Sequence, residues 1–600
     1  MSENFDFINQ FENILSLNKL SNENINDLKI KINWYSSIYN MHMYWTKQKP
    51  EVVASYINRF CPKGGTVLDA FAGSGMTGVA ALMSGRNVIL SDLSPLCNFL
   101  CENFTSKVDL SEITSRFTRI TKEISNKFKW LYQTCCHSCG NQKAQIYAVI
   151  WVDNFTCPEC NHVQSMCLEG AHLKLKKGDT IKNISCRKCS TIYAKKMKYF
   201  HSSSPITIEV DCAVCGKAGK ENARTPTKTD KRWLKKINNY KIKTFYPAKI
   251  KFPLGINTKR CLLRKIRHPY QIFSKMNLIY LSAYWTFVKR DYENGEFSKS
   301  VQDKLLFIAT SAMFHGSLMR RWLPYRTGVP LKGTLFVPSM SEDVRFSRVL
   351  EHQALRVFRG QSSINEIARQ GNVKTKLSSA LDLRWIPDNS VDYLYYDPPF
   401  GGHINYSELN LVWEAWLGKT TDTNEEIIVN RHQNKTMEDY GHLLREAIAE
   451  AVKKLKFGGY FTIVFAHSDL KVWRILQEAV SGLSLKVQGA PEILDSANKT
   501  FIQCYSNRAQ QNMITFTFKK TRKNGQKLNH DFKKKVETEI NRFFKRNPIG
   551  IKREDIFDHI TRALFSTSFI ESFNLDSYLA KNYTKKGNLW AVREFKIKEK

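Results

Sequence analysis

Four Cys-x-x-Cys pairs place the strongest constraint on how this chain folds: Cys136 with Cys139, Cys157 with Cys160, Cys186 with Cys189, and Cys212 with Cys215. A gap of two residues lets a knuckle turn aim both thiolates at one metal ion, and four thiolates close a tetrahedral zinc site. The first two pairs are 17 residues apart and the last two 22, which groups them in sequence order as two zinc ribbons. A crossed grouping satisfies the same arithmetic, and Cys135, His137, His162 and Cys167 stand near enough to replace a ligand. A site closed by four thiolates leaves no position for a substrate, so these metals are expected to serve folding. Eight of 15 cysteines in such pairs also point to a reducing compartment rather than to disulfides.

On either side of this region the hydrophobic pattern is α/β. A short apolar run ends in Val67-Leu-Asp-Ala-Phe-Ala-Gly-Ser-Gly-Met-Thr77; helix formers follow to residue 84, and a second apolar run ends at Asp92. Strand, glycine turn, helix and strand in that order bring backbone N–H groups close to a ligand, and an acid ending the second strand suits the two hydroxyls of a ribose. The pattern lapses over residues 108–373, with a helical stretch at 277–321, and then resumes. An apolar strand over 391–396 runs into Asp397-Pro-Pro-Phe400; Leu443, Leu444, Ala447, Ile448, Ala451, Val452 and Leu455 repeat at helical spacing; Gly458 and Gly459 are expected to stop that helix before a strand at 460–465. A last strand is expected at 513–518 and a basic linker at 519–535.

The turn Asp69-Ala-Phe-Ala-Gly-Ser-Gly-Met-Thr77 closely resembles the S-adenosylmethionine-binding motif of amino-group DNA methyltransferases, and His42-Met-Tyr-Trp-Thr-Lys-Gln-Lys-Pro50 is similar to the family segment beside the methionine end of the cofactor. The resemblance covers residues 41–98 and 371–520. It implies that Asp69, Phe71, Gly73, Gly75 and Thr77 line the cofactor, that Asp92 takes the ribose, and that Asp382 meets the adenine edge, although Asp382 could equally cap a turn before Pro387. It also implies a Rossmann-like methyltransferase sheet split by a long zinc-ribbon and helical insertion. The segments are then a helical lead-in (1–40), the first part of the catalytic domain (41–107), the zinc-ribbon insertion (108–267), a helical insertion (268–370), the second part of the catalytic domain (371–520), and a linker with a C-terminal module (521–600).

The tetrapeptide Asp397-Pro398-Pro399-Phe400 sits at a strand's carboxyl end, where α/β sheets place their ligands. An exocyclic amino nitrogen is a poor nucleophile because its lone pair is delocalised into the ring. A carboxylate and a carbonyl that accept its two hydrogens favour a pyramidal nitrogen with the lone pair aimed at a methyl donor. Asp397 and the Pro398 carbonyl are the candidates; the prolines stiffen the turn, and Phe400 offers a face to a base rotated out of the helix. In the family, Asp at the first position goes mainly with adenine. Tyr406-Ser-Glu-Leu-Asn410 and the stretch 413–417 are similar to a pattern of zinc-ribbon-containing adenine methylases, and Tyr406 either borders the target-base pocket or serves packing near the catalytic loop. The order of cofactor turn, insertion and tetrapeptide resembles the alpha class, with the third strand following the insertion.

A net charge of +36, from 91 Lys plus Arg against 55 Asp plus Glu, calls for a polyanionic partner. Lys231, Arg232, Lys235, Lys236, Lys241, Lys243 and Arg260 interleave with Trp233, Tyr240, Phe245 and Tyr246, so residues 135–267 are the candidate target-recognition region; a solvated basic face is the plain alternative. Residues 551–590 fit a small α+β, winged-helix-like unit that either clamps duplex DNA or packs on the rest of the chain. The opening residues lack a basic-then-apolar leader, and the most apolar segment, 305–319, is too short and too polar to span a bilayer, so a cytoplasmic protein is expected. The expected activity is methylation of adenine N6 in duplex DNA with a flipped base, in a restriction-modification or defence setting. Cytosine-N4 or RNA adenine methylation, and a catalytically silent zinc-ribbon protein that binds nucleic acid, are the alternatives.

Overall fold

The computed structural model describes residues 37–167, 181–323, 328–489, 492–494, 513–522, 530–547, 550–565, 567–568, 570 and 573–592. Most of the expected lead-in, and residues 523–529 of the expected linker, lie outside them. The chain divides into two compact units, each discontinuous in sequence: one holds Met1–Trp45, Ser106–Glu366 and Glu408–Thr420, the other Thr46–Thr105, Ile367–Ser407 and Thr421–Lys600.

The second unit is built on a sheet of eight strands: β1 (Thr66–Asp69), β2 (Asn87–Asp92), β3 (Val373–Leu377), β4 (Val391–Tyr396), β5 (Leu455–Phe465), β6 (Leu485–Val487), β7 (Glu492–Leu494) and β8 (Met513–Lys520). Their spatial order is β3-β2-β1-β4-β5-β8-β6, with β7 also on β8. Strands β3 to β5 along this order are parallel, whereas β8 runs antiparallel to β5. Central β4 is buried at five of its six positions, as a strand covered on both faces requires. The chain steps outward from β1 through β2 to β3 and then returns to β4 on the other side of β1. The order therefore reverses between β1 and β4, whose carboxyl ends carry Asp69 and Asp397.

Helices cover the sheet: α1 (Pro50–Phe60), α2 (Met76–Met83), α3 (Pro95–Thr105), α4 (Met437–Lys454) and α5 (Leu470–Val480). A capping box of Thr436 and Asp439 starts α4, and the expected apolar stripe of Leu444, Ala447, Ile448, Ala451 and Val452 is buried. The helix ends at Lys454 and not at the glycines: Leu455 is already extended and pairs with Val391. Gly458 and Gly459 instead form an irregularity within β5, where a Cβ on Gly459 would lie 2.8 Å from the Asp392 carbonyl oxygen.

The C-terminal residues form a helix (Phe532–Arg546), a short strand (Ile551–Lys552), helices Arg553–Leu564 and Leu575–Asn582, and a hairpin of Tyr583–Lys586 with Leu589–Val592. Gln477 of α5 donates to the carbonyls of Phe565 and Ser568 and accepts from Ile570 N, and Phe565 packs on Phe516 of β8. The expected basic linker is shortened at both ends, because Lys519 and Lys520 belong to β8 and residues 532–535 open a helix.

In the first unit two long strands, Ala144–Thr156 and Phe200–Asp211, pair antiparallel from Gln145 opposite Asp211 to Phe155 opposite Phe200. Met340–Val344 pairs along the other edge of Ala144–Thr156. Helices Leu110–Lys127, Lys275–Glu293, Lys299–Met313 and Phe346–Ile367 supply the helical part. No described helix is long and apolar enough to cross a membrane.

Candidate active site and metal centres

The turn after β1 is organised by its own acid. Buried Asp69 accepts from Phe71 N–H at 3.0 Å and from the Thr77 hydroxyl at 2.6 Å, which ties the end of the strand to the first turn of α2. Asp92, at the end of β2, accepts from Gly73 N–H at 2.8 Å and Ser94 N–H at 2.9 Å, so the two strands share one loop. Gly73 and Gly75 both have positive φ, at 50° and 78°, and a Cβ on Gly75 would lie 2.9 Å from Cys101 Cα. Gly78 has no such torsion, yet a Cβ there would come within 2.6 Å of Leu90 Cδ1 and 2.9 Å of Thr105 Cγ2. Gly73, Gly75 and Gly78 thus form a full Gly-x-Gly-x-x-Gly in which the third glycine lets the helix close on strand and neighbour. The sequence reading used only the first two.

Asp397 is held by Gln48, a residue of the 42–50 segment that its sequence pattern does not single out. Gln48 Nε2 donates to Asp397 Oδ2 at 2.6 Å, while Gln48 Oε1 accepts from the Tyr395 hydroxyl, also at 2.6 Å. This bridge fixes the amide orientation of Gln48 and with it one carboxylate oxygen. Burial pushes Asp397 up to about 7, opposed by the Gln48 bond. Asp69 is likewise pushed to about 7 by burial, with the charges of Asp397 and Asp92 adding to the rise. Burial also raises Asp92. Three carboxyl groups from three strand ends therefore converge closely enough to feel one another, and a cationic ligand would relieve that crowding.

The rest of the tetrapeptide is braced from below. Tyr440 of α4 donates to the Pro399 carbonyl at 2.7 Å, which leaves the Pro398 carbonyl out of that contact, and Phe400 packs edge-on against Phe465. Phe71 meets Tyr396 edge-on at 5.1 Å. The Tyr406 hydroxyl and the Thr46 hydroxyl are 2.6 Å apart, and Asp397 and Asp92 both act on the Tyr406 phenol, which places that ring by the carboxyl cluster. Asp382 is engaged by a near neighbour in sequence. Its half-exposed carboxylate is chelated by Arg384 at 2.8 and 3.0 Å, which holds it well below the usual carboxylate range, at about 2.

The eight paired cysteines form two clusters, but in crossed order. Cys136, Cys139, Cys212 and Cys215 are one set, and Cys157, Cys160, Cys186 and Cys189 the other. The antiparallel ladder is the reason: the first and fourth pairs flank one end of the Ala144–Thr156 and Phe200–Asp211 strands, and the second and third pairs the other. Each pair sits on the same knuckle, with the N–H of the first cysteine bonded to a carbonyl five residues on and the residue after the second cysteine at positive φ: Gly140, Asn161, Ser190 and Gly216. Sulfur separations of 3.8 and 3.6 Å in one set and 3.7 and 3.5 Å in the other match the edge of about 3.8 Å of a tetrahedron with 2.3 Å bonds. Both sets could hold zinc. Cys135, His137, His162 and Cys167 join neither.

In the basic stretch, helix Lys228–Asn239 exposes Lys231, Arg232, Lys235 and Lys236, and Lys241 and Lys243 follow, also exposed. All four aromatic residues of this stretch have structural partners: Trp233 donates to the Leu131 carbonyl, Tyr240 packs on Phe128 and Trp130, Tyr246 on Tyr270, and Phe245 edge-on against Trp416. Arg260 bonds to the Thr334 hydroxyl, and Phe245 is exposed.

Residues 3–97 match the N6_N4_Mtase family model, described as DNA methylase, which supports an amino-group methyltransferase acting on DNA at the N4 or N6 level. No curated protein matches the chain. Among solved structures, the crystal structure of PH0851 is similar at 11% identity over 29% of this chain and 39% of that one, with a TM-score of 0.13, a likeness too slight to bear on fold or function.

Proposed function

We propose that this protein transfers a methyl group from S-adenosylmethionine to the N6 amino group of adenine in duplex DNA. The observation that carries the reading is the convergence of Asp69, Asp92 and Asp397 at the point where the strand order reverses, with Asp397 pinned through Gln48 to Tyr395. S-adenosylmethionine supplies an electrophilic methyl group on a sulfonium, and its positive charges suit a site where carboxylates crowd. Asp92 is tied to the backbone N–H groups of Gly73 and Ser94 at the carboxyl end of β2, where an acidic side chain suits ribose hydroxyls. Gly73 and Gly75 keep the turn open to backbone approach, and Asp69 and Thr77 hold its shape.

The chemistry asked of the chain is positioning. Asp397, through the oxygen not engaged by Gln48, and the Pro398 carbonyl accept the two amino hydrogens of the target base and direct the nitrogen lone pair at the methyl carbon. Phe400 and Tyr406 wall the base pocket. Asp382 is the weakest of the proposed cofactor contacts, since a ligand would have to share it with Arg384. Two structural zinc ions in the crossed sets hold the ribbon ends, and the basic face of Lys231, Arg232, Lys235 and Lys236 contacts DNA phosphates. The helix–strand–helix–helix–hairpin order at the C-terminus suits a winged helix, and its bonds to Gln477 support a packing role.

The test is transfer of tritiated methyl from S-adenosylmethionine to unmethylated duplex DNA, with RNA as control, followed by nucleoside identification. Label in N6-methyladenine of DNA supports the reading. Label in N4-methylcytosine keeps the site and changes the base, label in RNA alone changes the substrate, and no label overturns the activity.

A further inference from the structure

The loop from Phe400 to Ser407 leaves the Asp397-Pro-Pro-Phe400 turn and carries both proposed walls of the base pocket, Phe400 and Tyr406. It lies close against residues 426–435. Val429 N–H donates to the Gly401 carbonyl at 3.4 Å, and a Cβ on Gly402 would come within 2.7 Å of the Val429 carbonyl oxygen. Further along, buried Asn430 donates through Nδ2 to Oδ1 of buried Asn405 at 3.0 Å.

Glu426 closes the far end of this contact. Its side chain is buried; Oε1 accepts from Ser407 N–H at 3.1 Å, and Oε2 accepts from the Ser407 hydroxyl at 2.6 Å. Gln433 Nε2 donates to the same Oε2 at 2.7 Å and to Ser407 Oγ at 3.3 Å. The backbone around Glu426 is folded on itself: Lys435 Nζ donates to the carbonyls of Thr423, Asn424 and Glu426 at 2.7, 2.9 and 2.5 Å, and Asn430 pairs with Lys435 in a β-bridge.

A helix begins at Tyr406, so Ser407 N–H is one of the first-turn donors that must find a partner outside the helix. Capping accounts for that bond alone. A carboxylate costs far more to desolvate than a neutral side chain that caps equally well, and the second oxygen goes on to fix the Ser407 hydroxyl and Gln433. Several bonds on one buried group define a single geometry, which is what a reacting site requires of the residues behind it. The residue held in place next to Ser407 is Tyr406, whose hydroxyl lies 2.6 Å from that of Thr46 and whose phenol feels the charges of Asp397 and Asp92.

We infer that Glu426 is a positioning residue for methyl transfer: through Ser407 it holds Tyr406 in place as a wall of the target-base pocket. The inference rests on the proposed methyl transfer and names the residue that sets the geometry of its base pocket. A base rotated out of the duplex gives up stacking and pairing, and a preformed wall returns more of that loss than one that must be ordered as the base arrives. Loss of Glu426 therefore slows transfer to DNA and spares cofactor binding.

The experiment measures single-turnover transfer of tritiated methyl from S-adenosylmethionine to unmethylated duplex DNA by the full chain. Wild type is compared with Glu426→Ala, Tyr406→Ala and the double variant, with cofactor affinity by calorimetry and Tm for each. The expected result is a rate about 10- to 100-fold lower in Glu426→Ala, as follows from losing hydrogen bonds to a charged group, with cofactor Kd unchanged. The double variant should be no slower than Tyr406→Ala, because a residue acting through Tyr406 has nothing left to position. A double variant slower than Tyr406→Ala, a matching loss of cofactor affinity, or a wild-type rate in Glu426→Ala overturns the inference while leaving the methyl transfer intact. Glu426→Gln keeps an acceptor for Ser407 N–H and should show a smaller loss with the same dependence on Tyr406, so the comparison stands even where the alanine variant fails to fold. Absence of transfer by wild type overturns the inference together with the proposed activity.

Discussion

Crossed metal sites make a sharp forecast for paired substitutions. Cys139→Ser removes one sulfur from the set that includes Cys212 and Cys215, where the Cys139–Cys212 edge is 3.6 Å. A serine hydroxyl is a poor zinc ligand at neutral pH, and structural zinc contributes about 10–16 kcal/mol of apparent binding free energy in small ribbons, so one lost thiolate is expected to empty its site. In the crossed arrangement Cys139→Ser/Cys215→Ser damages one site and leaves the other, so the purified protein should carry one zinc per chain. Cys139→Ser/Cys160→Ser damages both and should carry none. Grouping in sequence order reverses these results, with one zinc for the second double variant and none for the first. Zinc per chain by elemental mass spectrometry, normalised to protein by amino-acid analysis, separates the two. Circular dichroism of the 139/215 variant should retain the strand signal of the intact end. The reversed stoichiometry would refute the pairing and with it the reasoning from the antiparallel ladder.

Because burial raises Asp397 to about 7 and the ionised form is the acceptor, kcat/KM should rise with pH through about 7 and level off above it. Asp397→Asn, which keeps a carbonyl acceptor and cannot titrate, should give a flat profile at a lower rate, and an unchanged acid limb would shift the titration to Asp69. Gln48→Leu removes a bond to a charged group worth about 1.5–3 kcal/mol and should cut kcat/KM about 10- to 100-fold with cofactor affinity unchanged; equal loss of cofactor affinity in calorimetry would contradict a role in positioning Asp397. Gly78→Val drives a side chain into Leu90 and Thr105 and should cost about 1–3 kcal/mol of stability, seen as a lower Tm; an unaltered Tm would show that α2 has slack against β2.

Local chemistry was legible in the sequence, and long-range pairing was not. The knuckles at Cys136, Cys157, Cys186 and Cys212 are short patterns with a chemical reason for every spacing, and both clusters could hold zinc as expected. Their grouping depended on which strand lies beside Ala144–Thr156, and no pattern between residues 157 and 199 announces that partner. Gly78 was readable three residues beyond Gly75, because a third glycine at that spacing marks helix–strand contact, but it carries no unusual torsion. Gln48 lies in the 42–50 segment that resembles the cofactor-side segment of the family, but nothing in that segment marks the glutamine itself, whose role depends on Tyr395 and Asp397 far along the chain. The end of α4 was misplaced because glycine stops helices often, whereas here the strand begins at Leu455 and the glycines shape it from inside. Asp382 illustrates the reverse case, a residue chosen by resemblance whose neighbour Arg384 takes its carboxylate.

The most direct test is nucleoside mass spectrometry of unmethylated DNA after incubation with S-adenosylmethionine and either the full chain or its Asp397→Ala variant, both carrying their full zinc complement. The expected result is N6-methyladenine with the wild-type chain and none above background with Asp397→Ala. Methylation by the variant at the wild-type rate, or no methylated nucleoside with the wild-type chain, would contradict the assignment of this site to amino-group transfer.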